Sequence, residues 1–209
     1  ERKAEPYAAW TKNEELIKRS ASGGVFAQLA CDFLKKDNSY VYGASLLSDN
    51  TVAHIEISSQ EQRKELQNSK YQQSNTVGIY KQVRKRLREG AWVLFSGVPC
   101  QVAAIYAFLQ DKKELIERLF TIEVLCHGVP TNVLSRKALE YHNAKKIVSY
   151  RTKVLGGGAI GNRLTYEMYD GSIMKCNSHI EDFLFKSYLT FSFSRISCYK
   201  CHYGNINRV

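Results

Sequence analysis

Six cysteines stand at positions 31, 100, 126, 176, 198 and 201 of this 209-residue chain. Only the last two form a tight motif, CYKC, whose two-residue gap lets both sulfurs bind one metal ion or cluster. Cys100 lies in VLFSGVPCQV, where a strand-like apolar run ends in a Ser–Gly turn and a helix begins; Cys126 lies in VLCHGVP, after a second such run. Cys100, Cys126, Cys198 and Cys201 would together make a tetrathiolate. The competing reading takes CYKC as a structural zinc half-site or a redox pair, with Cys100 and Cys126 merely buried. Cys31 falls mid-helix on an apolar face and reads as core. Cys176 stands at a strand end, where either role is open. Cys126–His127 does not read as a catalytic pair, because adjacent side chains diverge and catalytic Cys/His partners are normally distant in sequence. His127 reads as a turn residue or a cofactor neighbour.

Three further segments have side chains or backbone suited to a ligand. SASGGVF places Ser22, Gly23 and Gly24 before a helix, where glycines allow close backbone approach and free amides attract phosphate; a helix cap explains it equally well. SKYQQS, residues 69–74, gathers a cation, an aromatic ring and two amides into a short polar stretch suited to a ring system carrying negative charge. GGGAIGN lacks the Lys-Ser/Thr ending of a phosphate loop and leads into a strand, so it reads as a hairpin connection.

The elements that must position these residues alternate. Helical patterns cover 11–19, VFAQLACDFLKK, QEQRKELQN, 78–89, QVAAIYAFLQ, VLSRKALEYHN and EDFLFKSYL. Strands are predicted in YVYGASLL, VAHIEIS, AWVLFSG, LFTIEVL and VSYRT, with a hairpin RLTYEMYDGSIMKCN turning at Asp170–Gly171. This predicts an α/β fold: a mixed, partly parallel sheet flanked by helices, with a C-terminal hairpin and CxxC segment. Residues 1–150 would form the α/β core with the first two candidate ligand cysteines, and 151–209 a hairpin, helix and CxxC completing the same domain. AWVLFSG, its following helix and LFTIEVL make a β-α-β unit with parallel strands. Cys100 and Cys126 then share one rim, where open α/β sheets hold ligands.

Composition is that of a globular protein, 44% hydrophobic and 24% charged, with no run long enough to span a bilayer. The absence of an initiating Met, and an end just past a Cys pair, read as a piece of a longer protein. Thiols without an export signal predict a reducing, cytoplasmic setting. The net charge of +10 favours anionic partners. Its densest basic run, KQVRKRLRE, sets Tyr80, Val83 and Leu87 on one helical face against Lys81, Arg84, Lys85 and Arg88, a solvated face. Nucleic acid is not the expected partner, because no aromatic-interleaved platform or zinc-finger spacing accompanies that run.

Taken in order, SASGGVF, SKYQQS, VLFSGVPCQV, VLCHGVP and SCYKCHYGNINR resemble the coenzyme F-420 hydrogenase/dehydrogenase beta-subunit family. The resemblance implies an iron–sulfur flavoprotein oxidoreductase that binds FAD and one [4Fe–4S] cluster. It would move electrons to or from a deazaflavin (coenzyme F-420), ferredoxin or a similar acceptor. The implied cluster ligands are Cys100, Cys126, Cys198 and Cys201. The implied flavin contacts fall on Ser22, Gly23 and Gly24, on Lys70, Tyr71 and Gln73, and on Ser96, Gly97 and Pro99. Lys70 and Tyr71 would be the catalytic pair beside the ring, with Lys70 stabilising reduced, anionic flavin. Expected partners are a ferredoxin or ferredoxin-like segment and a small-molecule hydride donor or acceptor. The alternative from another class is a non-enzymatic, zinc-stabilised domain that binds nucleic acid or an acidic partner through its basic face.

Overall fold

A computed structural model of the chain describes residues 5–110, 112–152, 163–177 and 182–203. The GGGAIGN segment and the residues after 203 lie outside these ranges. Two sheets organise the chain. The first has four strands in the order β2 (Val52–Ile57), β1 (Ser39–Leu46), β3 (Trp92–Gly97) and β4 (Leu119–Glu123). β1 pairs antiparallel with β2, while β1–β3 and β3–β4 are parallel, so the sheet is mixed and partly parallel as expected. The predicted β-α-β unit is present as β3, α4 (Pro99–Phe108) and β4.

Residue alternation divides the core into two layers. Val93 and Phe95 of β3, with Tyr42 of β1, pack under Ile79, Val83 and Leu87 of α3 (Ile79–Arg88) and Val102, Ile105 and Leu109 on or just after α4. Leu94 and Val41 face the opposite way, against Ala30 of α2 (Val25–Phe33), Ile57 and Leu66. The basic run therefore lies on the outer face of α3, as its periodicity predicts. Helices α1 (Glu14–Lys18) and α5 (Lys113–Ile116) are short. The helix expected through QEQRKELQN is only a 3-10 turn, Glu61–Glu65, in which no residue is buried. With no apolar stripe in those five positions, nothing offsets the cost of helix nucleation.

The second sheet is antiparallel: β5 (Ala144–Thr152), β6 (Arg163–Met168) and β7 (Ile173–Asn177). Position 150 falls inside β5. The hairpin turns where expected, with Gly171 at φ 83° and the Ser172 amide donating to Asp170 Oδ1 (2.9 Å). α6 (Asn132–Tyr141) and α7 (Phe183–Leu189) cover this sheet around Ile147, Tyr150, Leu164, Tyr166 and Cys176. A last short helix, α8 (Ile196–Tyr199), carries the first cysteine of the CxxC. Among the described residues no helix is long and apolar enough to cross a membrane.

Candidate functional site

A cavity of about 560 Å³ opens beside the ends of β3 and β4, within the size range of small-molecule sites. Three of its walls are the segments marked in the sequence. Ser22, Gly23 and Gly24 form one, Lys70, Tyr71 and Gln73 another, and Ser96 and Gly97 the third. Pro99 is not on the wall; it is buried as the first residue of α4. Cys100 is therefore the second residue of α4 rather than a residue ahead of it. The wall continues through Val124, Leu125 and Cys126 to Val129, so one candidate ligand cysteine also faces the cavity.

The glycines of SASGG have a packing reason of their own. A Cβ on Gly23 would meet Ala9 O at 2.9 Å, and Gly24, at φ 74°, would meet Thr11 Cγ2 at 2.7 Å. Residues 9–11 thus close over this turn, and the backbone it presents to the cavity is fixed from behind.

SKYQQS is the seam between the two sheets. Lys70 Nζ donates to the Gln67 carbonyl (2.6 Å) and the Glu65 carbonyl (3.4 Å). Burial drives its pKa down to about 7, offset in part by the nearby charge of Glu65. Tyr71 packs at a tilt of 34° against Tyr188 (4.2 Å between centroids) and meets Tyr150 and Phe185 edge-on. Gln72 bonds the Tyr150 hydroxyl and donates to Asn50 O (3.1 Å). Gln73 Oε1 accepts from Arg195 Nη1 (2.9 Å), at the cap of α8. Ser74 Oγ bonds His54 Nδ1 (2.8 Å) and accepts from Gln101 Nε2 (2.9 Å).

His54, Ser74 and Gln101 form a buried network that carries no motif in the sequence. His54 Nε2 lies 2.9 Å from Ser96 O, and its ring stacks on Phe95. Burial lowers the pKa of His54 and holds it neutral, so its two nitrogens serve one donor and one acceptor role. This ties β2, SKYQQS and the Ser96–Gly97 turn together under the cavity. Arg195 and Tyr188 are equally absent from any motif. Arg195 reaches Gln73, and Tyr188 reaches Tyr71, across more than a hundred residues, which no spacing rule detects.

The four thiols lie at the rim beside this cavity. Gly128, at φ 116°, packs near Cys198 Cβ, which a Cβ on it would approach to 3.5 Å; its amide donates to Cys126 Sγ (3.4 Å). Burial pushes the Cys126 thiol up, the Gly128 amide opposes this, and the charges of Cys100, Cys198 and Cys201 raise it further. Cys100 is likewise raised by burial and then by Cys201 and Cys198, against the lowering charge of Arg195. Cys100 and Cys126 therefore stand in the electrostatic field of the CxxC pair, and all four are free thiols. His127 turns away onto Tyr188 and Phe191 (4.7 Å each), which fits a turn residue and not a nucleophile's base.

A second cluster, His142, Cys176 and Asp182, brings its donor atoms within 4.8 Å of one another and has the composition of a metal site. Its carboxylate is already occupied. Asp182 Oδ1 caps the Leu184 and Phe185 amides, and Oδ2 bonds Tyr166 Oη (2.7 Å) and His142 Nε2 (2.9 Å).

Residues 90–208 match the family model for the C terminus of the coenzyme F420 hydrogenase/dehydrogenase beta subunit. That is more than half of the chain. The chain belongs to this family. By structure it is similar to a chain of the xenon-derivatised F420-reducing [NiFe] hydrogenase complex from Methanosarcina barkeri. The TM-score is 0.58 at 15% identity, over 92% of this chain and 63% of that one, a likeness of fold. This chain thus spans under two thirds of that protein's length. No curated protein matches by sequence.

Proposed function

We propose that this chain is an iron–sulfur flavoprotein oxidoreductase module. FAD would occupy the 560 Å³ cavity, and one [4Fe–4S] cluster would be held by Cys100, Cys126, Cys198 and Cys201. The observation that carries the reading is Cys126, which belongs to the cavity wall and to the thiol group at once. A donor set of four thiols, with no carboxylate among them, suits iron–sulfur chemistry.

When bound, the flavin supplies two-electron chemistry and the cluster one-electron transfer. The chain's own residues bind, orient and shield. The Ser22–Gly24 turn offers backbone to phosphate groups. Tyr71, backed by Tyr188, walls the ring compartment on the side of the second sheet. Lys70 places an ammonium, readily charged or neutral near pH 7, where an anionic ring would stand. Arg195, bonded to Gln73, braces the CxxC helix against the cavity and puts a positive charge near Cys100. The acceptor would be a deazaflavin, ferredoxin or similar carrier, in a cytoplasmic setting.

The test is iron, acid-labile sulfide and flavin analysis of anaerobically prepared protein. About four irons and four sulfides per chain, with FAD, are expected, and all the iron is lost in Cys198→Ala/Cys201→Ala. A colourless protein holding zinc after anaerobic reconstitution would replace this reading with the zinc-stabilised domain.

A further inference from the structure

We propose that Arg151, which no sequence motif marks, is the fixed positive charge of the large cavity and holds the electron-rich edge of the flavin ring in its reduced, anionic form. The inference rests on the flavin occupying that cavity, and adds the residue that responds to its redox state. Arg151 follows Tyr150 near the end of β5 and lines the 560 Å³ cavity.

Its own surroundings leave the guanidinium incomplete. Arg151 Nε is shut off from water and has no hydrogen-bond partner. Buried polar atoms are nearly always paired, so an orphan on a cavity wall points to a partner that comes from the cavity. Among the described residues no carboxylate pairs with Arg151, and the acids of the second sheet are committed elsewhere. Glu167 pairs with Lys145 and Lys146, while Asp182 bonds His142, Tyr166 and the first amides of α7. The strand is also irregular at this point. Between the pairs Ser149–Thr165 and Thr152–Arg163, β5 carries two residues, Tyr150 and Arg151, where β6 has only Leu164. Such a bulge re-aims a side chain. Tyr150 enters the dry core of the second sheet, the Arg151 amide donates to Ser149 Oγ (3.2 Å), and the Arg151 side chain reaches the cavity.

The position says which part of the ligand it meets. Burial raises the Tyr188 phenol, Tyr71 and Cys126 add to the rise, and the charge of Arg151 opposes them, so the guanidinium stands by Tyr188. Tyr188 in turn packs on Tyr71. An aromatic wall suits a ring, and the backbone of the Ser22–Gly24 turn suits phosphates; Arg151 belongs to the aromatic wall. Uptake of two electrons and one proton, the proton going to N5, leaves the ring with a negative charge shared between N1 and the C2 carbonyl oxygen. Two adjacent acceptors of that kind match the planar fork of a guanidinium. Lys70, with a pKa of about 7, gives a charge that varies with pH, whereas Arg151 stays charged throughout.

The test is anaerobic titration of the whole chain with FAD, followed by potentiometric titration of the bound flavin with dithionite as reductant. Arg151→Gln should weaken binding of reduced flavin about tenfold more than that of oxidised flavin, which lowers the two-electron midpoint by about 30 mV. Arg151→Lys should recover part of the shift, because the charge returns without the fork. Arg88→Gln, on the outer face of α3, should leave the midpoint unchanged. Cofactor-free Arg151→Gln should unfold in urea at the native midpoint, since Nε loses no partner. Should Arg151→Gln take up no flavin, the midpoint of Arg151→Lys decides, and a native value there overturns the proposal. It is also overturned if Arg151→Gln weakens both redox forms equally and leaves the potential unmoved, which would put Arg151 on the phosphates. A destabilised cofactor-free variant would make the residue structural and overturn it too. A native chain that takes up no flavin ends the flavoprotein reading and this inference together; a native chain that binds flavin, with Arg151→Gln indistinguishable from it, ends this inference alone.

Discussion

The two sheets use the same chemical groups to opposite ends. In the antiparallel half, His142, Cys176, Tyr166 and Asp182 turn inward, and the carboxylate is consumed by a helix cap, a phenol and an imidazole. In the parallel half, the thiols stand at the sheet rim, Cys100 exposed and the others half-buried, with a cavity beside them. Polar atoms that are fully paired and dry hold a fold together; polar atoms left part-paired at a sheet rim are available to a ligand. Residue type alone does not separate the two cases, since both contain cysteine and histidine. The difference lies in what each atom already touches.

Breaking the closed network should have the largest effect. Asp182→Ala removes a cap and strands the Tyr166 hydroxyl and His142 in a dry interior. We expect a loss of about 3–5 kcal/mol in urea denaturation. Cys198→Ser at the rim should cost the cofactor-free protein within about 0.5 kcal/mol. Similar losses for the two would erase the contrast between the halves.

Tyr188 tests the join between them. Its ring lies between Tyr71 and His127, so it links the cavity wall to the loop that carries Cys126. Tyr188→Leu should weaken FAD binding about tenfold, with Tyr188→Phe restoring most of it, as stacking carries the contact. Equal loss in both variants would assign the effect to the hydroxyl instead.

Lys70 sharpens the comparison from the open side, because here a buried charge is tolerated at a cost to stability. Its folded pKa of about 7 lies below the unfolded value of 10.5. The unfolded chain therefore holds the extra proton between these values, and stability lost to Lys70 is recovered as pH rises from 7 through 10.5. Lys70→Met should raise the thermal midpoint of the cofactor-free protein at pH 7, with the gain shrinking towards pH 10.5. The same variant should lower the flavin midpoint potential in a potentiometric titration. A stability gain independent of pH would mean that packing, not charge, is what the lysine sacrifices.

The sequence makes the open half far more legible than the closed one. Apolar runs mark β3 and β4, and their parallel pairing puts Cys100 and Cys126 on one rim. SASGG and SKYQQS are visible because turn glycines and clustered polar residues interrupt the apolar pattern. The partners that give those segments their geometry are not visible. Gln73 finds Arg195 and Tyr71 finds Tyr188 only once the second sheet has docked. His54 looks like any polar residue of an alternating strand, and only burial makes it the pivot of a network. The QEQRKELQN segment misleads in the other direction, since its helix-forming residue types have no buried face to hold them.

His54 offers the smallest effect and the finest distinction. It is a titratable group of the parallel half built like the closed network, dry and bonded at both nitrogens. Its folded pKa is depressed by burial below the ordinary 6.5. Full stability is present above pH 6.5, and it falls as pH drops below that value, because the unfolded chain takes up the proton first. His54→Gln removes the group and with it this slope. Carboxylates such as Glu56, where burial raises the pKa but Arg86 and Tyr42 together hold it below the usual range, titrate at lower pH and leave the window clear. Thermal midpoints from pH 8 to 5 should therefore fall more steeply for the native chain than for the variant. Parallel curves would show that His54 is hydrated in solution, and that the cavity floor belongs to the open half after all.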